Sequence, residues 1–102
     1  MEVERNSLYG IDYYKRNTFM GSLGIMNYRI YKAEEKVEAE EEAQQEDTKV
    51  YLEAVCWHGP YIFSKTEEEQ KHYKRFSFDN EGLDKITEWL NEEYRIMEKE
   101  DN

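Results

Sequence analysis

Residues 79–100, DNEGLDKITEWLNEEYRIMEKE, carry one apolar stripe, and no other stretch of the chain sustains that pattern. Leu83, Ile86, Leu90, Tyr94 and Met97 recur at spacings of three and four, the period of one helical face, and Trp89 and Ile96 widen it. The start is marked as well. Asp79 offers a side-chain acceptor at the N-cap, and Glu81 stands in the first turn, where the helix dipole favours an anion. Glu81 and Lys85 form an i,i+4 pair in the favourable order. A helix with one apolar face needs a surface to cover, and that need constrains the rest of the chain.

The surface has to be a sheet. In TKVYLEAVCWHG (48–59), Val50, Leu52, Ala54 and Cys56 fall on one side of a strand, and Tyr51, Glu53, Val55 and Trp57 on the other. GIMNYRIYKAEE (24–35) alternates too, with Met26, Tyr28 and Ile30 sharing a face. Gly21 and Gly24 mark a turn or bulge just before it. Gly59-Pro60 breaks the 48–59 strand, because proline has no ladder donor. Tyr61-Ile62-Phe63 then reads as a short third strand, making 48–64 a hairpin. KTEEEQKHYKR (65–75) fits a single helical turn after a Ser64 or Thr66 cap, and Arg75–Phe78 an edge strand. RNSLYGIDYYKRNTFM (5–20) follows no clear period. The expected fold class is α+β: an antiparallel sheet of three to four strands with one long C-terminal helix packed on one face, in two layers. It is expected as a single domain over 1–102, frayed at 98–102.

A hydrophobic content of 38% leans towards disorder, but 15% aromatic residues supply large buried areas per side chain and tip the balance to a folded domain. The net charge of -10 is concentrated in two blocks, with -7 in residues 34–47 and -6 in residues 76–102. EEKVEAEEEAQQED (34–47) has helix formers without an apolar stripe, so it reads as an acidic, flexible insert. Direct nucleic-acid binding and attachment to anionic membranes both need cationic surface and are disfavoured. One cysteine allows no internal disulfide, and no apolar run approaches a membrane span, so a reduced, cytoplasmic setting is expected.

Cys56 and His58 invite a catalytic reading. Two residues apart on one strand face, they stand about 6–7 Å from each other, too far for a direct thiolate–imidazole hydrogen bond. No third group is in view to orient the pair. Zinc ligation by Cys56, His58 and His72 would need an added carboxylate and matches no compact spacing. Gly21-Ser22-Leu23-Gly24 precedes a strand rather than opening a helix, so it is no phosphate loop. No catalytic residue, metal or cofactor is expected.

The aromatic surplus points elsewhere. One helix covers one sheet face, leaving Tyr51, Val55 and Trp57 on the other, joined by Tyr31 and Phe63. Either residues 5–20, with Tyr13, Tyr14 and Phe19, fold back over that face, or a partner does. The expected binding residues are Arg29, Tyr31, Tyr51, Trp57, Tyr61 and Phe63.

Four blocks carry a resemblance: Phe19, Gly21, Gly24 and Tyr28-Arg29-Ile30; then Trp57, Gly59-Pro60-Tyr61, Phe63 and Lys65-Thr66; then Phe76, Phe78 and Glu81-Gly82-Leu83; finally Trp89-Leu90-Asn91-Glu92. In this order they resemble a group of short bacterial proteins of unknown function, over about residues 19–94 and skipping the Glu-rich insert. The resemblance implies a bacterial, cytoplasmic domain and brings no activity, cofactor or catalytic residue. Three function classes follow. The first is a non-enzymatic interaction domain that presents an aromatic sheet face or a strand edge to another protein or to itself. The alternatives are an acidic mimic that occupies a nucleic-acid-binding protein, and an enzyme using Cys56 and His58, which requires a fast-reacting thiol.

Overall fold

The long helix starts where the sequence marks it. In the computed structural model, which describes residues 1–37, 47–59 and 62–100, α1 spans Asn80–Glu100. The Asp79 carboxylate accepts the Gly82 N–H at 2.7 Å and the Ser77 hydroxyl at 2.8 Å, closing the first turn as an N-cap does. Gly82 lets the helix begin tight against the preceding strand, since a Cβ there would stand 1.9 Å from the Ser77 carbonyl oxygen. At the other end, α1 runs three residues into the stretch expected to fray.

Four strands form one antiparallel sheet in the order β1-β2-β3-β4, where β1 is Phe19–Leu23, β2 Met26–Val37, β3 Asp47–His58 and β4 His72–Ser77. The turn expected before the 24–35 strand is there, at Gly24, and Gly21 lies in a further strand, β1, ahead of it. Leu23 pairs with Met26, leaving Gly24 and Ile25 as a two-residue loop. Gly24 has φ +54°, the left-handed conformation such a loop asks of its first residue. Gly21 has a different reason to be glycine: its cross-strand partner Tyr28 lies over it, and a Cβ would sit 2.6 Å from the ring.

β2 and β3 pair from Met26↔His58 to Val37↔Asp47, so both strands run on into the block expected to be a loop over 34–47. In this extension Glu35 stands directly opposite Lys49, and its carboxylate pairs with Arg75 at 3.3 Å. Residues 38–46, the remainder of that insert, lie outside the described residues.

Tyr61 of the third strand expected at 61–63 lies outside the described residues; of the rest, Ile62 is in no strand and Phe63–Lys65 is a 3₁₀ turn. The strand that pairs with this side of β3 is β4 instead, from Cys56↔His72 to Tyr51↔Ser77. The helical turn expected in 65–75 is the short 3₁₀ segment Glu68–Gln70, and the edge strand begins at His72, earlier than its aromatic end implied.

The inner sheet face and α1 enclose the core. Met26, Tyr28 and Ile30 from β2 and Leu52, Ala54 and Cys56 from β3 meet Leu83, Ile86, Leu90, Tyr94 and Met97. The N-terminal segment joins this same side. Its Val3, Leu8 and Tyr14 are buried in the core, and burial pushes the Tyr14 phenol up to about 12. The Asn91 amide clamps the chain by accepting the Val3 N–H at 2.6 Å and donating to the Val3 carbonyl at 3.0 Å. Arg5 meets Asp84 at 2.8 Å. Residues 5–20 therefore do not fold over the outer sheet face, which corrects one of the two covers expected for it.

Candidate functional site

Strand parity gathers the outer face. Arg29 and Tyr31 on β2 stand opposite Val55 and Glu53 on β3, and those two stand opposite Tyr73 and Arg75 on β4. Five of the six expected binding residues, Arg29, Tyr31, Tyr51, Trp57 and Phe63, belong to this face or its cover. Tyr61, the sixth, lies outside the described residues.

The face divides into two zones. At one end Trp57 is only 5% exposed although α1 packs on the opposite face. Phe63 from the β3–β4 connection covers it, edge to face, with ring centroids 5.3 Å apart. Two cations approach the same Phe63 ring: the Arg29 guanidinium at 4.3 Å and the Lys71 ammonium at 3.8 Å from its centroid. Lys71 is itself buried and donates to Glu68 at 3.0 Å. The connection thus acts as a strap, with the half-buried Phe63 as its anchor and Lys71–Glu68 as its tie. Sequence alone does not single out Lys71 and Glu68, because a run of mixed charge gives no sign of which member turns inward.

At the other end the face is polar and half-open. The Tyr31 hydroxyl donates to Glu53, Arg75 meets Glu53 at 3.1 Å and Glu35 at 3.3 Å, and the Arg75 guanidinium lies 5.6 Å from the Tyr51 ring. Burial first, then the Glu53 hydrogen bond and charge, raise the Tyr31 pKa. Glu53 in turn raises that of Arg75. These groups satisfy one another as hydrogen-bond and charge partners.

Beside the strap, Met20, Arg29, Trp57, Ile62 and Phe63 line a shallow hollow of about 230 Å³. Met20 is 66% and Ile62 62% exposed, so two large apolar side chains flank it in solvent. A second hollow, about 360 Å³, is lined by His58, Lys65, Thr66, Glu67 and Gln70, and its Thr66 hydroxyl is committed to the Ile62 carbonyl at 2.8 Å.

The cysteine has a different neighbour from the one its sequence position implies. His72 is the direct cross-strand partner of Cys56 on the inner face, while the His58 ring meets the Gly59 carbonyl. Glu93 reaches in from α1, and its carboxylate lies 2.9 Å from His72 Nδ1. Burial, and after it the Glu93 charge, push the Cys56 thiol up to about 12, so it stays protonated at neutral pH. That protonated state runs against the fast-reacting thiol the Cys56–His58 enzyme reading requires.

No family model, curated protein or solved structure matches the chain. What the fold defines is a class: a two-layer α+β protein with a four-stranded antiparallel sheet and one covering helix. Among the described residues no helix is long and apolar enough to cross a membrane.

Proposed function

We propose that this chain is a non-enzymatic interaction domain that docks an extended segment of another protein along β1, with an apolar side chain of that segment seated beside Trp57 and Phe63. One observation carries the reading: an edge strand, two exposed apolar residues and an aromatic hollow coincide at one border of the sheet. An edge strand presents unpaired backbone donors and acceptors to an incoming strand, and alternate pockets supply side-chain specificity. Arg29 at the hollow gives it a cationic aromatic wall, while the net charge of -10 favours a partner that is basic outside its anchor. The lone free Cys56 fits a reducing, cytoplasmic setting.

The test places a photoreactive residue at position 62 and follows crosslinking alongside sedimentation velocity. The expected result is a crosslink to a distinct protein chain that Met20→Asp abolishes. A crosslinked homodimer would redirect the surface to self-association. A monomer that crosslinks to nothing at any accessible concentration would overturn the reading.

A further inference from the structure

Cys56, His72 and Glu93 are brought together by three separate elements, one from each of β3, β4 and α1. Their ligand atoms, one sulfur, one imidazole nitrogen and one carboxylate oxygen, all lie within 4.8 Å of one another. The six-residue β4 and the helix meet at this border of the core. Cys56 is fully buried below it, and the side chain of His72 is about half open to solvent above.

We propose that Cys56, His72 and Glu93 form a binding site for a zinc-like divalent cation, coordinated through sulfur, nitrogen and oxygen with its fourth position open to water. The sequence alone leads to no metal, and the set it offers for zinc, Cys56, His58 and His72, contains one wrong histidine.

The geometry fits the ion. Zinc sits about 2.3 Å from sulfur and about 2.0–2.2 Å from nitrogen and oxygen, which places tetrahedral donors roughly 3.3–3.7 Å apart. His72 Nδ1 and Glu93 Oε2 stand at 2.9 Å, slightly closer than that, and the remaining pairs stand no more than 4.8 Å apart. Side-chain adjustments on the ångström scale therefore close the set without moving the sheet.

The donor chemistry selects the ion class. A thiolate with an imidazole suits zinc and its soft or borderline neighbours, whereas magnesium and calcium take oxygen ligands. Charge balance points the same way. On binding, the Cys56 thiol proton leaves to solvent and a sulfur–metal bond replaces the S–H bond. The imidazole binds as the neutral base with its N–H on the other ring nitrogen, and the carboxylate binds as it stands. Thiolate and carboxylate together neutralise the two positive charges of the cation, so no net charge is added at the border of the core.

Three protein ligands with an open fourth position form the pattern of reactive rather than closed structural zinc sites. His72 lies on the exposed edge strand, so the open side faces solvent. This inference does not depend on the docking surface, which lies on the opposite sheet face and at the opposite edge.

The test uses cobalt(II) as the probe, added to the full chain under reducing conditions after chelator treatment. One equivalent is expected to give a thiolate-to-cobalt charge-transfer band with the strong ligand-field absorption of a four-coordinate ion, and zinc is expected to displace both. His72→Gln and Glu93→Gln are expected to weaken binding by on the order of 10–100-fold or more, with the far-ultraviolet circular dichroism unchanged. Cys56→Ser is expected to remove the charge-transfer band. Should that variant fail to fold, His72→Gln and Glu93→Gln carry the test. Absence of a charge-transfer band in the unmodified chain, or equal affinities for the unmodified chain and His72→Gln, would overturn the assignment.

Discussion

The two faces of this sheet are closed by different physical means. The inner face is closed by a 21-residue regular helix whose apolar stripe meets the apolar side of the sheet, with Val3, Leu8 and Tyr14 joining it. The outer face is closed at one end by a single phenylalanine, held by two cations and one ion pair, and is left half-open at the other. Burial of aliphatic surface is cooperative and hard to undo in part. A strap held by one ring and partly exposed charges opens locally at much lower cost. The inner face therefore carries stability, and the outer face is where the molecule can open locally.

Emptying part of the inner layer gives the largest effect. Leu90 is fully buried between α1 and the sheet, and Leu90→Ala is expected to cost about 2–5 kcal/mol in urea denaturation, through lost transfer energy and the cavity left behind. Ile62→Ala, at an apolar residue on the outer border, is expected to stay within about 0.5 kcal/mol. Comparable losses at the two positions would break the contrast.

The inner layer is also the part that the sequence makes legible. Parity alone assigns Met26, Tyr28 and Ile30, with Leu52, Ala54 and Cys56, to one face, and the spacing of Leu83 to Met97 supplies their cover. Val50 shares that parity yet is exposed. It pairs with Glu34 on β2 but lies one residue beyond the last β3–β4 pair, Tyr51↔Ser77. Parity assigns a face; it does not say how far the cover extends.

The outer face is legible only by half. Parity places Tyr51, Val55 and Trp57 there, but the cover over Trp57 comes from an aperiodic connection with two 3₁₀ turns, and periodicity cannot detect such a segment. Cys56 and His72 meet through a register between strands, and Glu93 joins them through the rotation of a helix about its axis. Neither quantity is written in local sequence. His58, only two residues from Cys56 along the chain, is therefore the natural and mistaken partner to consider.

An intermediate effect is expected from cutting the strap at its anchor. Phe63→Ala removes an edge-to-face pair worth about 0.5–1.5 kcal/mol beyond area burial, along with both cation contacts. In a Trp89→Phe background, which isolates the second tryptophan, Trp57 emission is expected to shift to longer wavelength while the far-ultraviolet circular dichroism holds. An unshifted spectrum would mean that Trp57 is shielded by something other than the strap.

The smallest effect, and the one that most sharpens the contrast, comes from acid. The Lys71 hydrogen bond first, then that of Tyr73, lowers the Glu68 pKa below its ordinary value. A carboxylate depressed in the folded state stabilises fully above its unfolded pKa of about 4.3, and that contribution is lost as pH falls through the lower folded value. Acidification is therefore expected to loosen the strap below about pH 4. Asp79, held down chiefly by the Gly82 N–H, titrates in the same direction but acts on the helix. Glu68→Gln separates the two. At neutral pH the variant should show Trp57 more solvated than in the unmodified chain, and the difference should vanish at low pH, where both lack the charge. A difference that persists unchanged across the acid range would mean that the Glu68 charge does not tie the strap, leaving Phe63 alone to close the outer face.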